Sequence, residues 1–365
     1  MSRQMRHGDP TPAWGASPTI PEARPQGAIP TLKMPTARGW DPGQTPTAAA
    51  GLKVNAFATD LDHPRWIYVL PNGDVLIAES SNVPRQVMRS VFDYAMVATM
   101  RRARAVGVSA NRITAPGRLL VSFKPGGHWT RSILPSPDGS KLYLGVGSSS
   151  NIADNGMEEE EGRALIYEYD IASSKGRTFA GGLRNAVGMT WEPVTGALWT
   201  VVNERDGLGD ETPPDYLTSV RDGGFYGWLY CYWDRIVDDR VPQDPAMVAK
   251  ALTPDYAQGG HTASLGLCWL PAGTLPGLPD GMAIGQHGSW NRAKLSGYKL
   301  VFVPFVDGRP SGTPRDVLSG FLTPDDKVSY GRPVGVTIGP GGCVLMADDV
   351  GDVIWRVTGV WRARG

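Results

Sequence analysis

A short unit recurs along this chain and limits what it can fold into: a glycine-tipped turn, then four to six residues alternating apolar with β-branched or small ones. It reads PNGDVLIAES at 71–80, PDGSKLYLGVGS at 137–148, PVTGALWTVVNE at 193–204 and GPGGCVLMADD at 339–349, with a weaker copy, LPDGMAIGQHGS, at 278–289. A glycine at the tip suits a tight hairpin turn, and the alternation suits the strand that follows. The irregular intervals, roughly 55 to 85 residues, match β-propeller blades that carry loop insertions. Between the copies lie further strands, RALIYEYDI (163–171), YKLVFVPFVDG (298–308) and DVIWRVTGV (352–360). Five visible copies, with one more masked by insertions, predict an all-β, six-bladed propeller over residues 51–365. GLKVNAFATDL (51–61) is expected to close the ring against VIWRVTGVW (353–361).

Composition supports this reading. The 46 glycines and 31 prolines favour turns over long helices, and 12 tryptophans suit half-buried strands. Lys+Arg and Asp+Glu balance at 36 each, so no global field draws nucleic acid, and a nucleic-acid binder is excluded. Cys231, Cys268 and Cys343 lie far apart without CxxC spacing, which excludes a structural zinc site and a disulfide framework and leaves one disulfide open. No run of 18 apolar residues occurs, and the start has basic residues without an apolar signal core.

Two segments depart from the β texture. Residues 1–50 hold nine prolines and few large apolar residues, so they read as an extended tail that cannot fold alone and drapes over the body. Residues 85–107 place Val87, Val91, Tyr94 and Ala95 at helical spacing, with Arg101, Arg102 and Arg104 at the end where cations complement the dipole. This predicts one inserted helix, either a plain surface helix or one that meets a partner or membrane surface.

Propeller ligands sit over the central channel, so polar groups flanking the repeats are the candidates. His128, in PGGHWTR, precedes a strand behind two glycines that permit close backbone approach; a surface histidine is the plain alternative. Arg184 and Asn185, in GGLRNAVGMTWEP, interrupt an apolar stretch, so the arginine must be paired or face a ligand. The Gly-rich acidic loop after VVNE, with Asp206 and Gly207, suits a hard cation or is merely solvated, and the acids Glu158 to Glu161 read as a solvated face. IGQHGSWNRAKLSGYK groups His287, Trp290, Asn291 and Arg292, and YGRPVGV and MADDVGD add Arg332, Asp348 and Asp349. No Gly-x-Ser-x-Gly elbow, P-loop or strand–GxGxxG–helix unit is present. The clusters suit an anionic, planar ligand.

The stretch GLRNAVGMTWEPVTGALWTVVNERDGLGDETPPDYLTSVRDGGFYGW resembles the core of the soluble quinoprotein sugar dehydrogenases, the glucose/sorbosone dehydrogenase family. HGSWNR, SGYKLVFVPF, GRPVGV and ADDVGDVIWRV bring it nearest the sorbosone branch, and the likeness covers roughly residues 50 to 360. The resemblance implies a six-bladed propeller that binds pyrroloquinoline quinone (PQQ) and Ca2+ and oxidises a sugar or sugar aldehyde. It implies His128 as general base and Arg184 beside the quinone carbonyl. Asn185, His261, His287, Arg292, Arg332 and Asp348 would line the cofactor, and main-chain carbonyls near Asp206 and Gly207 would hold the calcium. It also implies a periplasmic setting, leaves the electron acceptor open between a cytochrome and a quinone pool, and leaves peripheral membrane contact open. The alternatives are a calcium-dependent propeller lactonase and a propeller that binds carbohydrate without catalysis. A Tyr330 two positions before Arg332, and Arg-Asp-Gly in the calcium loop, depart from the better-known glucose dehydrogenase pattern.

Overall fold

The computed structural model describes residues 13–25, 31–80, 119–128 and 131–360. The expected helix at 85–107 lies outside them. Sheet A comprises Pro64–Val69 and Val75–Glu79. Sheet B runs through Ile133–Pro135, Lys141–Val146, Leu165–Asp170 and Lys175–Gly181. Sheet C runs through Ala186–Trp191, Leu198–Val202, Pro214–Val220 and Tyr256–Gly260. Sheet D runs through Ser264–Leu270, Gly281–Gln286, Lys299–Val306 and Arg315–Ser319. Sheet E runs through Pro333–Ile338, Val344–Asp348 and Val353–Gly359, and Leu52–Ala58 pairs antiparallel with its last strand, as the ring-closure expectation required. The described residues also form two short two-stranded sheets, Cys231–Tyr232 with Ile236–Val237 and Thr36–Ala37 with Val328–Ser329.

Each copy of the repeated unit lands in a different sheet. The unit was expected to feed an inner strand; it forms instead the hairpin turn and the second strand of its sheet. The first strands of sheets A, C, D and E lie innermost, and glycine explains how neighbours reach one another. Val187-Gly188-Met189, Leu265-Gly266-Leu267 and Val334-Gly335-Val336 place a glycine in the first strands of sheets C, D and E. A Cβ on Gly188 would overlap the Leu265 carbonyl, one on Gly266 the Val334 carbonyl, and one on Gly335 the Arg65 carbonyl. Successive sheets thus meet backbone to backbone around the axis. Outward of these contacts, Trp199, Phe305 and Trp269 pack edge to face in a core shared by sheets C and D.

Described parts of the proline-rich segment pair with the body at three places. Trp14–Gly15 pairs with Gln258 and Ala257, Thr36–Ala37 runs parallel to Val328–Ser329, and Thr47–Ala48 adds to the edge of sheet D. Trp40 packs between Phe321, Tyr330 and Trp355. Among the described residues the one α-helix is Pro245–Lys250, its N-terminus capped by the Asp244 carboxylate. All three cysteines are free, which removes the open disulfide.

The glycine contacts are testable. Gly266→Ala should destabilise the fold by about 1–3 kcal/mol through overpacking against a backbone that cannot withdraw. Urea unfolding checks it, with Gly181→Ala, where an added Cβ would meet only the Phe225 ring at 4.0 Å, as the comparison for an unhindered glycine.

Candidate functional site

Loops that enter the first strands and loops that join second to third strands emerge at the same end of the ring. The four histidines among the described residues, His63, His128, His261 and His287, all sit there. Two adjoining clusters result, tied by hydrogen bonds from the His287 and Gly288 N–H groups to the Ala263 and Thr262 carbonyls.

The first cluster unites His128, Arg184, Asn185, Asp206 and His261. Arg184 is buried, and its guanidinium donates to the carbonyls of Asn151, Asn203 and Glu204, to Asn151 Oδ1 and, at 3.5 Å, to Asp206 Oδ2. Asp206 also accepts from Asn291 Nδ2 at 2.6 Å and lies 3.4 Å from His261 Nδ1. Burial opposes ionisation of Asp206, but His261 and Arg184 outweigh it and hold the carboxyl down at about 2. Burial likewise pushes His261 down, yet Asp206 and the Gly209 carbonyl prevail and its net shift is upward.

His128 is fixed in one tautomer. Its Nδ1 lies 3.1 Å from the Ser148 carbonyl and 3.0 Å from Ser148 Oγ, whose own proton goes to the Ser150 carbonyl. Nδ1 must therefore donate, which leaves the lone pair on Nε2. Burial, then the Arg184 charge, lowers the His128 pKa to about 3, so the ring is neutral throughout the physiological range. Gly147 separates His128 from Asn185; any side chain there would collide with both.

The second cluster centres on Asp349. Its carboxylate receives His287 Nε2 at 2.9 Å, Arg65 at 2.5 Å and His63 at 3.4 Å. Burial opposes its ionisation, but His287 and Arg65 hold it far below the usual carboxylate range. Burial and Arg332 lower His287 to about 3. Arg332 donates to the carbonyls of His287 and Gly288 and stacks 5.2 Å over Tyr298. Among the described residues it makes no ion pair.

Three expected roles change. Asp348 is saturated by Trp40, Trp355 and the N–H groups of Arg332 and Gly351, so it is an internal brace and faces no ligand. Burial nevertheless pushes its pKa up to about 6. Arg292 turns outward to Glu211 and the Gly260 carbonyl, away from the clusters. The carbonyl of Gly207 accepts from Arg240, and that of Asp206 from Asn151 and Arg205. The Asp206 carboxylate on the same loop is bonded to Arg184 and Asn291. The solvated reading of the acidic run also fails at Glu160, which is buried and accepts from Ser149 N, Ser150 N and Ser150 Oγ.

Sequence reasoning missed Arg163. It is buried, and its guanidinium donates to the carbonyls of Lys124, Pro125, Gly126 and Gly147. It thereby clamps the His128 loop to the loop carrying Ser148. An arginine followed by Ala-Leu-Ile at a strand entry was the one available signal, since a buried guanidinium needs several acceptors. Asn151, Glu204, His63 and Arg65 were missed as well.

Residues 106–214 match a family model described as TrAA12-like. Over 293 residues the chain is 27% identical to the pyrroloquinoline quinone-dependent pyranose dehydrogenase of Coprinopsis cinerea, covering 67% of this chain and 36% of that protein. The chain is a homologue of that dehydrogenase. An uncharacterized protein of Borreliella burgdorferi is 29% identical over 234 residues, 63% of this chain and 60% of that one. The chain therefore spans less than two thirds of the length of either relative. A Trichoderma reesei carbohydrate-active enzyme of family AA12 superposes with a TM-score of 0.67 at 18% identity, covering 92% of this chain and all of that one. The PQQ domain of the Coprinopsis cinerea dehydrogenase gives 0.65 at 18%, covering 90% and 100%. These likenesses establish the β-propeller fold; the sorbosone branch is not singled out by them.

Arg163 and Arg184 both press the His128 pKa down. Arg163→Met should therefore raise it, and a histidine NMR titration assigned by comparison with His128→Gln reads the shift directly. A lowered histidine favours the fold above its ordinary 6.5 and loses that contribution as pH falls toward about 3. His128→Gln should accordingly lose less stability than the parent on acidification through that window, measured by urea unfolding.

Proposed function

We propose that this chain is a PQQ-dependent sugar dehydrogenase in which His128 is the general base. The observation that carries the reading is the neutral, single-tautomer His128 beside Arg184, Asn185 and Asp206 at the axis of a propeller. The residues present suit the cofactor. Arg332 is a partly exposed cation without a counter-ion among the described residues, matched to a planar polycarboxylate. The buried Asn185 Oδ1 has no partner among them, so it awaits a donor or a cation. Asp206 and Asn185 would hold Ca2+ through oxygen, in keeping with a hard cation's preference. When bound, the quinone supplies the two-electron acceptor that no side chain provides, and the ion supplies a Lewis acid beside it.

The chain's own residues supply the rest. His128 Nε2 takes the proton from the substrate hydroxyl as the C–H bond is broken, while Ser148 holds the proton on Nδ1. A base with a pKa near 3 is always unprotonated when substrate arrives, at some cost in proton affinity; Asp206 works against that cost by raising it. Arg184 has spent its donors on loop carbonyls, so it acts through its field on charge that develops nearby. His261 and Asn291 fix Asp206. The sugar is an aldose or a sorbosone-like aldehyde, and a periplasmic setting with a cytochrome or quinone acceptor follows from the resemblance.

Purified protein supplied with PQQ and Ca2+ should show bound-quinone absorbance and dye reduction with aldoses or sorbosone. His128→Gln should lower kcat by about 10²–10⁴-fold with quinone still bound. Arg332→Met should weaken quinone binding by about tenfold or more, the range expected for a lost charge-assisted bond. Absence of both absorbance change and dye reduction would overturn the reading.

A further inference from the structure

Arg292, displaced from the channel, opens onto a second concavity. A cavity of about 550 Å³ lies between sheets C and D and is walled by Trp14, Glu211, Gln258, Gln286, Arg292 and Tyr298, among others. We propose that it is a binding site for a neutral polyhydroxylated ligand of mono- or disaccharide size.

Three observations point there. The first is unmet donors. Gln286 donates to Gln258 Oε1 at 3.3 Å, which leaves the Gln258 amide nitrogen buried without a partner among the described residues; Arg292 Nε is in the same position. Both residues are more than nine-tenths buried, with 8% exposure each. A buried N–H without an acceptor is unfavourable, so this wall calls for an acceptor-rich occupant such as hydroxyl oxygens.

The second is charge. Arg292 is paired with Glu211, and Lys299 at the rim pairs with Asp316 at 2.9 Å. An anion would meet the Glu211 carboxylate, and a cation would meet the guanidinium. A neutral ligand meets a balanced wall and still finds donors and acceptors on both partners. The third is the half-buried indole of Trp14, a flat apolar face that suits the C–H face of a sugar ring while the amides and the Arg–Glu pair take its hydroxyls.

The site is distinct from the channel yet adjoins it. Asn291 faces Asp206 while its neighbour Arg292 faces the cavity; on the facing loop Asp206 serves the channel and Glu211 the cavity. The proposal does not rest on the quinone chemistry, because it concerns donors that the channel residues do not touch.

Calorimetric titration of the full chain, without PQQ, with glucose, cellobiose, glucuronate and glucosamine tests it. Saturable binding of a neutral sugar is expected, weakened about tenfold or more by Gln258→Leu and by Arg292→Met. Should those variants fail to fold, as judged by circular dichroism, Trp14→Ala on the edge strand carries the same expectation. No neutral-sugar binding by the parent, binding that survives all the substitutions that fold, or preference for glucuronate or glucosamine would each overturn the proposal. None of these outcomes bears on dye reduction with PQQ, so the two readings fail separately.

Discussion

Guanidinium–carbonyl bonding holds the working end of this propeller together. The loops there have left their sheets, so their carbonyls need donors from elsewhere. Arg184 supplies five N–H contacts across two loops, one from sheet B and one from sheet C, and Arg163 gathers four carbonyls around the approach to His128. A buried cation is unfavourable in isolation, and each of these is tolerated because it is wrapped in oxygen dipoles. The same arrangement places two positive charges beside His128. Loop architecture and the protonation state of the proposed base are therefore set by one interaction, and neither can be altered without the other.

The scaffold was legible because its determinants are local. A glycine turn and an alternating strand are chosen within ten residues, so PNGDVLIAES, PVTGALWTVVNE and GPGGCVLMADD declared their hairpins. What the pattern did not declare was which strand of a sheet each copy formed. That depends on which neighbour approaches the axis, and the glycine of Val-Gly-Met, Leu-Gly-Leu and Val-Gly-Val decides it through backbone contact with the next sheet. The candidate site was legible in part for the same reason. His128, Arg184, Asn185, Asp206 and His261 flank strands whose ends must converge. Asn291 and Arg292 are adjacent and face opposite sides, a choice made by the path of the loop and the position of Glu211. Glu160 looked solvated among four acids because nothing in the run shows that Ser149 and Ser150 return to it.

The two ends of the titration scale are set against each other around the axis. His128 and His287 are pushed down to about 3, largely by burial, and favour the fold above 6.5. Their contribution is lost as pH falls from 6.5 toward 3. Glu204 and Asp348 are pushed up by burial, to about 7 and about 6. They favour the fold below their ordinary 4.5 and 3.8, and that contribution is lost as pH rises through 7 and 6. Between about 4.5 and 6 the unfolded chain binds a proton at each of the two histidines that the fold refuses, and the fold binds a proton at each of the two acids that the unfolded chain refuses. The slopes oppose, so these four groups leave stability nearly level across that interval. A site can then hold neutral histidines next to arginines, as the proposed proton abstraction demands, without making the whole fold acid-labile. Below about 4 the compensation ends: the acids are protonated in both states, while the histidines and the ionised pair Asp206 and Asp349 all favour higher pH. Acid unfolding should therefore begin at the axis, where the proposed base is kept neutral, and spread outward into the sheets.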